Sequence, residues 1–328
     1  MKIVIPGGSG QVGGLLERAL RADGHDVIIL TRARAGGAPG PGVVAWDGKT
    51  LGPWANELDG ADVVINLAGR NVNCRYTRAN REEMMSSRVD STRAVGLAIA
   101  RAARPPRVWL QMSTATIYAH RFDAPNDEAT GIIGGDEPDA PAAWRFSIDI
   151  ARAWEAAQAE AATPATRKVA MRTTMVMSPE RGGIFDVLLG LTPRGLGGTI
   201  ADGRQWMSWI HGRDFVRAVA LLIERDDISG PVNVAAPNPL PQREFMAALR
   251  AAWGTRVGLP VTKWMAALGA VFLRTETELT FKSRRVVPGR LRDAGFTFEH
   301  PDWPAAAADL VARWREGAAG AGATTPVG

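Results

Sequence analysis

A chain of 328 residues, 46% hydrophobic and 22% charged, has ordinary globular composition and is long enough for one large domain or two. Its 39 basic residues outnumber 34 acidic ones by only five and form no run resembling a nucleic-acid arm, so nucleic-acid binding is not expected. The single cysteine, Cys74, excludes an internal disulfide or a cysteine zinc cluster; four scattered histidines (25, 120, 211, 300) show no ligand spacing, and no metal is expected.

The apolar run Ile3-Val4-Ile5 reads as a buried strand, followed at once by glycines at 7, 8, 10 and 13. An amphipathic helix begins there, with Val12, Leu15, Leu16, Ala19 and Leu20 at helical spacing. Strand, glycine turn and helix is the context in which G-x-x-G-x-x-G marks a dinucleotide site. Gly7 suits the tight turn, Gly10 close approach of a pyrophosphate, and Gly13 close packing of helix on sheet. Gln11 and Val12 lie at the helix N-terminus, whose free N–H groups and partial positive charge suit phosphate.

Asp26–Thr31 reads as a second strand, followed by Arg32 and Arg34 with no acid between 31 and 34. An arginine there suits a 2′-phosphate, so NADP(H) is expected, held at Thr31 and Arg32. Residues 35–42 are a Gly/Pro/Ala loop, and Val43–Asp47 a third strand whose Asp47 would lie beside the adenine. Asp62–Gly69 is a fourth strand ending in Leu67-Ala68-Gly69, small enough to let the cofactor pass close to backbone. A helix over 78–103 ends at Pro105-Pro106, and Arg107–Met112 is a fifth strand with Met112 at its cofactor-facing end. Ser113–Tyr118 follows, at the strand ends where open parallel sheets hold ligands. After an acidic loop over 119–142, a helix over 144–162 and a strand over Lys168–Thr173 complete six βα units. That succession predicts an α/β fold with a doubly wound parallel Rossmann sheet.

The second half predicts a helix over 184–191, a glycine-punctuated loop into Gln205–His211, a helix from Asp214 to 224, and a strand over Pro231–Ala235. Residues 241–316 read as mostly helical with one short strand at Phe296–Phe298, and 317–328 as a disordered tail. The expected division is a cofactor-binding domain over 1–180, to which 208–235 return, and a smaller substrate domain over 181–207 and 236–316. Trp264–Leu273 is too short an apolar stretch to span a bilayer, and no leader precedes the first strand; a cytoplasmic monomer or homodimer acting on a small molecule is expected.

On Pro6–Gly13, Asn66–Gly69, Ser113–Tyr118, Gly195–Gly198, Gly203–His211 and Ser283–Phe296, the chain resembles the extended short-chain dehydrogenase/reductase superfamily over nearly its whole length. It is most similar to an atypical, YfcH-like branch of NAD-dependent epimerase/dehydratases with a C-terminal domain of unknown function. The superfamily's catalytic tyrosine is followed four residues on by a lysine. Here Tyr76 is followed by Asn80 and Tyr118 by Phe122, and Ser147 and Ala151 stand where the pair belongs. The resemblance implies that Thr114 orients a substrate oxygen, with Tyr118 four residues on and Arg88 where an asparagine is usual; either of these would stabilise charge on that oxygen. It also implies that Gln205, Trp206, Trp209 and His211 line the substrate pocket, with His211 and Asp214 as one candidate acid–base pair and the helix aspartate Asp149 as another candidate base. An oxidoreductase or epimerase/dehydratase chemistry follows as the expectation, with a catalytically silent NADP(H)-binding regulator, or a non-redox lyase, cyclase or isomerase, as alternatives.

Overall fold

The computed structural model describes residues 1–32, 40–137, 141, 144–260 and 278–322. Arg34 and the apolar stretch Trp264–Leu273 lie outside the described residues. The strands are β1 (Lys2–Pro6), β2 (Asp26–Thr31), β3 (Val43–Ala45), β4 (Val63–Asn66), β5 (Val108–Thr114), β6 (Arg167–Thr173), β7 (Met175–Met177), β8 (Trp206–Met207), β9 (Trp209–His211), β10 (Gly230–Val234) and β11 (Leu240–Pro241). The helices are α1 (Gln11–Ala22), α2 (Arg78–Arg101), α3 (Arg145–Ala159), α4 (Ile184–Leu191), α5 (Gly212–Glu224), α6 (Gln242–Trp253), α7 (Glu278–Phe281), α8 (Gly289–Asp293) and α9 (Trp303–Gly322).

Two compact units divide the chain. The first comprises Met1–Ala119, Ile133–Thr173 and Val216–Asn233. The second comprises His120–Ile132, Thr174–Phe215 and Val234–Gly328.

The main sheet has seven strands in the order β3-β2-β1-β4-β5-β6-β10. From β3 to β6 every neighbouring pair is parallel. Chain order reverses at β1, with β2 on one side and β4 on the other, and such a switch point opens a crevice at the strand ends. Ile3, Val4, Ile5, Val63, Val64, Ile65, Val108, Trp109 and Leu110 are all fully buried. Helices cover both faces of a parallel sheet, which is why these strands read as continuous apolar runs rather than alternating ones. The doubly wound α/β Rossmann architecture is the one expected.

In the second unit β7 and β9 pair in parallel and β8 and β11 antiparallel. Around them Met177, Phe185, Leu189, Trp209, Phe245, Trp303 and Leu310 form a core. Trp303 stacks on Phe245 at 3.9 Å and donates its indole N–H to the Phe245 carbonyl at 2.8 Å.

Three expectations are corrected. Phe296–Phe298 is not a strand: the following amides, of Glu299 and His300, donate to the Asp214 carboxylate instead of to a neighbouring strand. The described residues of 254–302 are less helical than periodicity suggests, with coil over 254–260, 282–288 (apart from a bridge residue) and 294–302. At the C-terminus α9 continues to Gly322, into the stretch expected to be disordered. No described helix is long and apolar enough to cross a membrane.

Candidate functional site

The turn from β1 into α1 is built by three glycines with different reasons. Gly7 adopts φ +75°, and a Cβ there would lie 2.6 Å from the Ala68 Cα, so both the turn and the neighbouring β4 loop demand glycine. Gly13 is buried, and a Cβ there would collide with the Gly8 carbonyl. Its closest approach is to the turn itself. Gly10 is the N-cap of α1, without a side-chain cap, and a Cβ there would meet only the Gly7 carbonyl at 3.9 Å. Packing does not require glycine at 10; the space it faces is open. Gln11 and Val12, half-buried, form the first turn.

Thr31 ends β2 and donates its hydroxyl to Ser9 Oγ at 2.9 Å, fastening the glycine turn to the next strand. Arg32 is exposed and makes no hydrogen bond or ion pair among the described residues. Asp47 is exposed, just after β3. Its carboxylate accepts from the backbone N–H groups of Lys49 (2.8 Å) and Thr50 (2.9 Å) and from the Thr50 hydroxyl. The Thr50 hydroxyl and these amides hold its pKa below the usual carboxylate value, and its oxygens are occupied in closing a turn.

Leu67 donates its backbone N–H to Pro6 at 2.8 Å, and Ala68 to Asn66 Oδ1 at 3.1 Å. Asn66 is fully buried and donates to Gln111 Oε1 at 2.9 Å, while Gln111 donates to the Met112 carbonyl at 3.2 Å. A buried amide relay thus fixes the ends of β4 and β5 together. A Cβ on Gly69 would touch the Arg88 Cγ and Cζ at 3.2 Å, so Gly69 makes room for Arg88 as well as for any ligand.

Arg88 is 9% exposed. Its guanidinium donates to the carbonyls of Met84 and Arg70, each at 3.0 Å, and lies over the Trp154 ring at 4.9 Å. It forms no ion pair among the described residues, and burial pushes its pKa down to about 10. Arg88 is therefore a buried cation with no carboxylate partner among the described residues.

Thr114 ends β5 and caps the short turn Ala115–Ile117, its Oγ1 accepting from the Thr116 N–H at 3.2 Å. Its own hydroxyl proton goes to no acceptor among the described residues. Tyr118 follows this turn. It is 2% exposed, donates its hydroxyl to Asn233 Oδ1 at 2.9 Å, and accepts from Arg172 Nη1 at 3.0 Å. Arg172 in turn makes a two-point contact with Glu155, Nε to Oε1 at 2.9 Å and Nη2 to Oε2 at 2.8 Å, and Ser113 donates to Glu155 Oε1 at 2.6 Å. Burial alone would lower the Arg172 pKa; the Glu155 carboxylate overrides it and holds the guanidinium above its usual value. The Tyr118 hydroxyl is a member of this network.

Ser113, Glu155, Arg172 and Asn233 were missed from sequence. The available signal was helical: Ser147, Ala151 and Glu155 recur every four residues of α3, so Glu155 lies on the face that the missing tyrosine and lysine would occupy. Asp149 is exposed on α3.

Within the second unit Gln205 is 4% exposed and donates to the Ile200 carbonyl at 3.3 Å. Trp206 is half-buried with the Arg285 guanidinium 4.1 Å over its ring. Trp209 is fully buried edge-on to Trp303 at 5.0 Å and belongs to the core, which corrects its expected place in a pocket wall. The expected His211–Asp214 pair does not form either. Asp214, fully buried, accepts from the N–H groups of Glu299 (2.9 Å) and His300 (2.8 Å). His211, 2% exposed, has Nε2 3.1 Å from Asp309 Oδ2 and stacks on His300 at 3.8 Å. Its Nδ1 accepts from the Arg213 N–H at 3.1 Å, which places the proton of the neutral ring on Nε2. Burial, then the His300 ring, lower its pKa to about 4 despite the nearby carboxylates.

Comparison with known proteins agrees with this architecture. The NAD dependent epimerase/dehydratase family matches residues 3–235, and a domain of unknown function, DUF1731, matches residues 261–310. The epimerase family protein SDR39U1 of Bos taurus is 32% identical over 316 residues, covering 95% of this chain and 100% of that protein. The epimerase family protein YfhF of Bacillus subtilis is 32% identical over 315 residues, 95% of this chain and 98% of that protein. The crystal structure of human SDR39U1 (isoform 2) with NADPH superposes with a TM-score of 0.82 at 29% identity, covering 94% of this chain and 99% of that one. The chain belongs to the NAD dependent epimerase/dehydratase family of extended short-chain dehydrogenase/reductases, with DUF1731 following the family's dinucleotide-binding region.

Proposed function

We propose that this chain binds NADP(H) at the β1–α1 turn and uses it in oxidoreductase or epimerase/dehydratase chemistry on a small molecule. The observation that carries the reading is Gly10: its neighbours leave room for a side chain, yet it sits at the N-terminus of α1, where bare backbone suits a pyrophosphate. The amides around Gly10, Gln11, Val12 and Gly13 would hold the pyrophosphate, and Arg32 the 2′-phosphate. Human SDR39U1, similar in fold and sequence, was crystallised with NADPH, which supports the phosphorylated cofactor. When bound, the cofactor supplies a hydride donor or acceptor.

The chain's own residues then divide the remaining work. Thr114 has a hydroxyl proton available to hydrogen-bond a substrate oxygen. Arg88, a buried cation with no acid partner among the described residues, stabilises negative charge nearby and cannot transfer a proton. Tyr118, closed in between Arg172 and Asn233, takes no part. Thr114, Arg88 and Tyr118 thus do not replace the tyrosine–lysine pair, absent from the sequence by spacing, as a proton carrier. That observation favours a second reading, in which the bound cofactor is a regulatory ligand.

Fluorescence titration with NADPH and NADH, on the wild type and Arg32→Ala, tests cofactor choice. NADPH should bind more tightly, and Arg32→Ala should lose about 10- to 100-fold for NADPH only, the scale of one charge-assisted hydrogen bond. Equal wild-type affinities overturn the assignment. Oxidation of bound NADPH by a panel of carbonyl compounds separates the enzyme from the regulator.

A further inference from the structure

We propose that the substrate of this chain bears a carboxylate, and that Arg88 is the cation that receives it. The inference rests on the oxidoreductase or epimerase/dehydratase reading above and narrows its substrate to hydroxy or oxo acids. All the groups concerned lie in the first compact unit. α2 supplies the cation, α3 the ring beneath it, the loop after β4 an opening, and the end of β5 a hydroxyl, Thr114.

Arg88 has more donors than acceptors around it. Of the five N–H groups of a guanidinium, one reaches the Met84 carbonyl and one the Arg70 carbonyl. The others meet no acceptor among the described residues. Trp154, whose ring centre lies 4.9 Å from the guanidinium carbon, is 4% exposed, and its indole N–H has no acceptor among the described residues either. Buried donors are nearly always satisfied, so two such side chains together mark a place for an acceptor. Burial lowers the Arg88 pKa to about 10, which leaves it charged at neutral pH; Tyr76 and Cys74 act on it too, and neither is a carboxylate.

Gly69 keeps this cation uncovered. A Cβ there would lie 3.2 Å from the Arg88 Cγ and Cζ and 3.4 Å from Nε, so a side chain at 69 would sit on the guanidinium. Gly69 itself is exposed, and a ligand can approach Arg88 across it. Its neighbour Ala68 packs against Gly7, which puts the opening beside the glycine turn. Thr114 stands at the same end of the sheet. β4 and β5 pair in parallel at Asn66 and Gln111, and Gly69 and Thr114 each lie three residues beyond that pair. Adjacent strands are ~4.8 Å apart, the scale of a short hydroxy or oxo acid with its carboxylate toward Arg88 and its oxygen toward Thr114.

The plain alternative is that Arg88 only fastens the loop after β4 to α2. That loop is already fastened there without it. The Arg70 N–H donates to Ser87 Oγ at 3.0 Å, and the Arg70 guanidinium donates to Asn80 Oδ1 at 2.9 Å and pairs with Glu83, all three partners being on α2. A buried charge adds desolvation cost to a task that exposed and neutral groups perform. The same pairing leaves Arg88 as a single uncompensated positive charge, which matches a carboxylate. A phosphomonoester carries about −1.5 to −2 and would bring excess negative charge.

The test uses the full chain, with and without saturating NADPH, titrated by calorimetry with short-chain hydroxy and oxo acids, each beside its methyl ester, and with inorganic phosphate. At least one acid should bind about 10- to 100-fold more tightly than its ester, the scale of one charge-assisted hydrogen bond. Arg88→Gln should abolish that preference. Arg88→Lys, which keeps the charge but not the fork of donors, should retain part of it, and it serves alone if the glutamine variant fails to fold. No acid preference in the wild type, or an undiminished one in a folded variant, overturns the proposal. So does phosphate binding more tightly than every acid. Loss of NADPH affinity in Arg88→Gln with the acid preference intact overturns it as well and assigns the cation to the cofactor. NADPH binding without acid preference would leave the oxidoreductase reading standing, whereas acid preference without NADPH binding would remove that reading alone.

Discussion

Three glycines within seven residues of the first turn make different demands, and substitution separates them. At Gly13 a methyl group meets the Gly8 carbonyl, so Gly13→Ala should lower stability by about 1–3 kcal/mol, the cost of overpacking, seen in denaturant unfolding. At Gly10 a methyl group meets nothing closer than 3.9 Å, so Gly10→Ala should unfold at the wild-type midpoint while binding NADPH more weakly. Loss of stability at 10, or wild-type affinity there, would remove the phosphate assignment. The network around Tyr118 makes a second residue-scale prediction. Glu155→Ala leaves the Arg172 guanidinium, its side chain 10% exposed, without its counter-charge and should cost about 3–5 kcal/mol. Tyr118→Phe removes one hydroxyl and should cost about 1–2 kcal/mol while leaving any NADPH turnover unchanged. A large fall in turnover with intact stability would return Tyr118 to the chemistry.

At the scale of elements, the helices end where backbone physics tells them to. α2 starts at Thr77, whose hydroxyl accepts from the Asn80 N–H at 3.3 Å, and stops before Pro105 and Pro106. Inside it Gly96 lets the helix settle on the sheet: a Cβ there would lie 2.9 Å from the Ala161 Cβ and 3.4 Å from the Trp109 ring. α6 closes on Gly254 at φ +92°, whose N–H returns to the Arg250 and Ala251 carbonyls. Beyond its chain neighbours, no atom of the described residues lies within 4 Å of a Cβ built there, so Gly254→Ala tests backbone conformation. It should cost about 1–2 kcal/mol in denaturant unfolding. A neutral result would mean that α6 ends differently in solution.

For the whole molecule, cofactor binding and stability are linked. A ligand that binds only the folded chain stabilises it by about 2.7 kcal/mol at a hundred times its Kd. NADPH should therefore raise the melting temperature in a concentration-dependent way, and NADH at the same concentration should do so less. No shift with either would count against dinucleotide binding.

The order of elements, the glycine turn and the parallel sheet were legible in the sequence because they rest on local signals. Apolar runs such as Ile3–Ile5, glycines at fixed spacing and prolines after helices act over a few residues, and the family motifs are contiguous. The absence of a Tyr-x-x-x-Lys pair was equally a matter of spacing. What tertiary structure alone decided is which polar groups meet across long separations. Tyr118 pairs with Asn233 115 residues away, and Asp214 with amides 85 and 86 residues on. Arg88 loses its water and gains no acid among the described residues, while Trp209 enters a core instead of a pocket. Histidines without ligand spacing, His211 and His300, come to rest on one another and beside Asp309. Burial and long-range contact fix the role of such side chains, and neither is encoded in the spacing of neighbours along the chain.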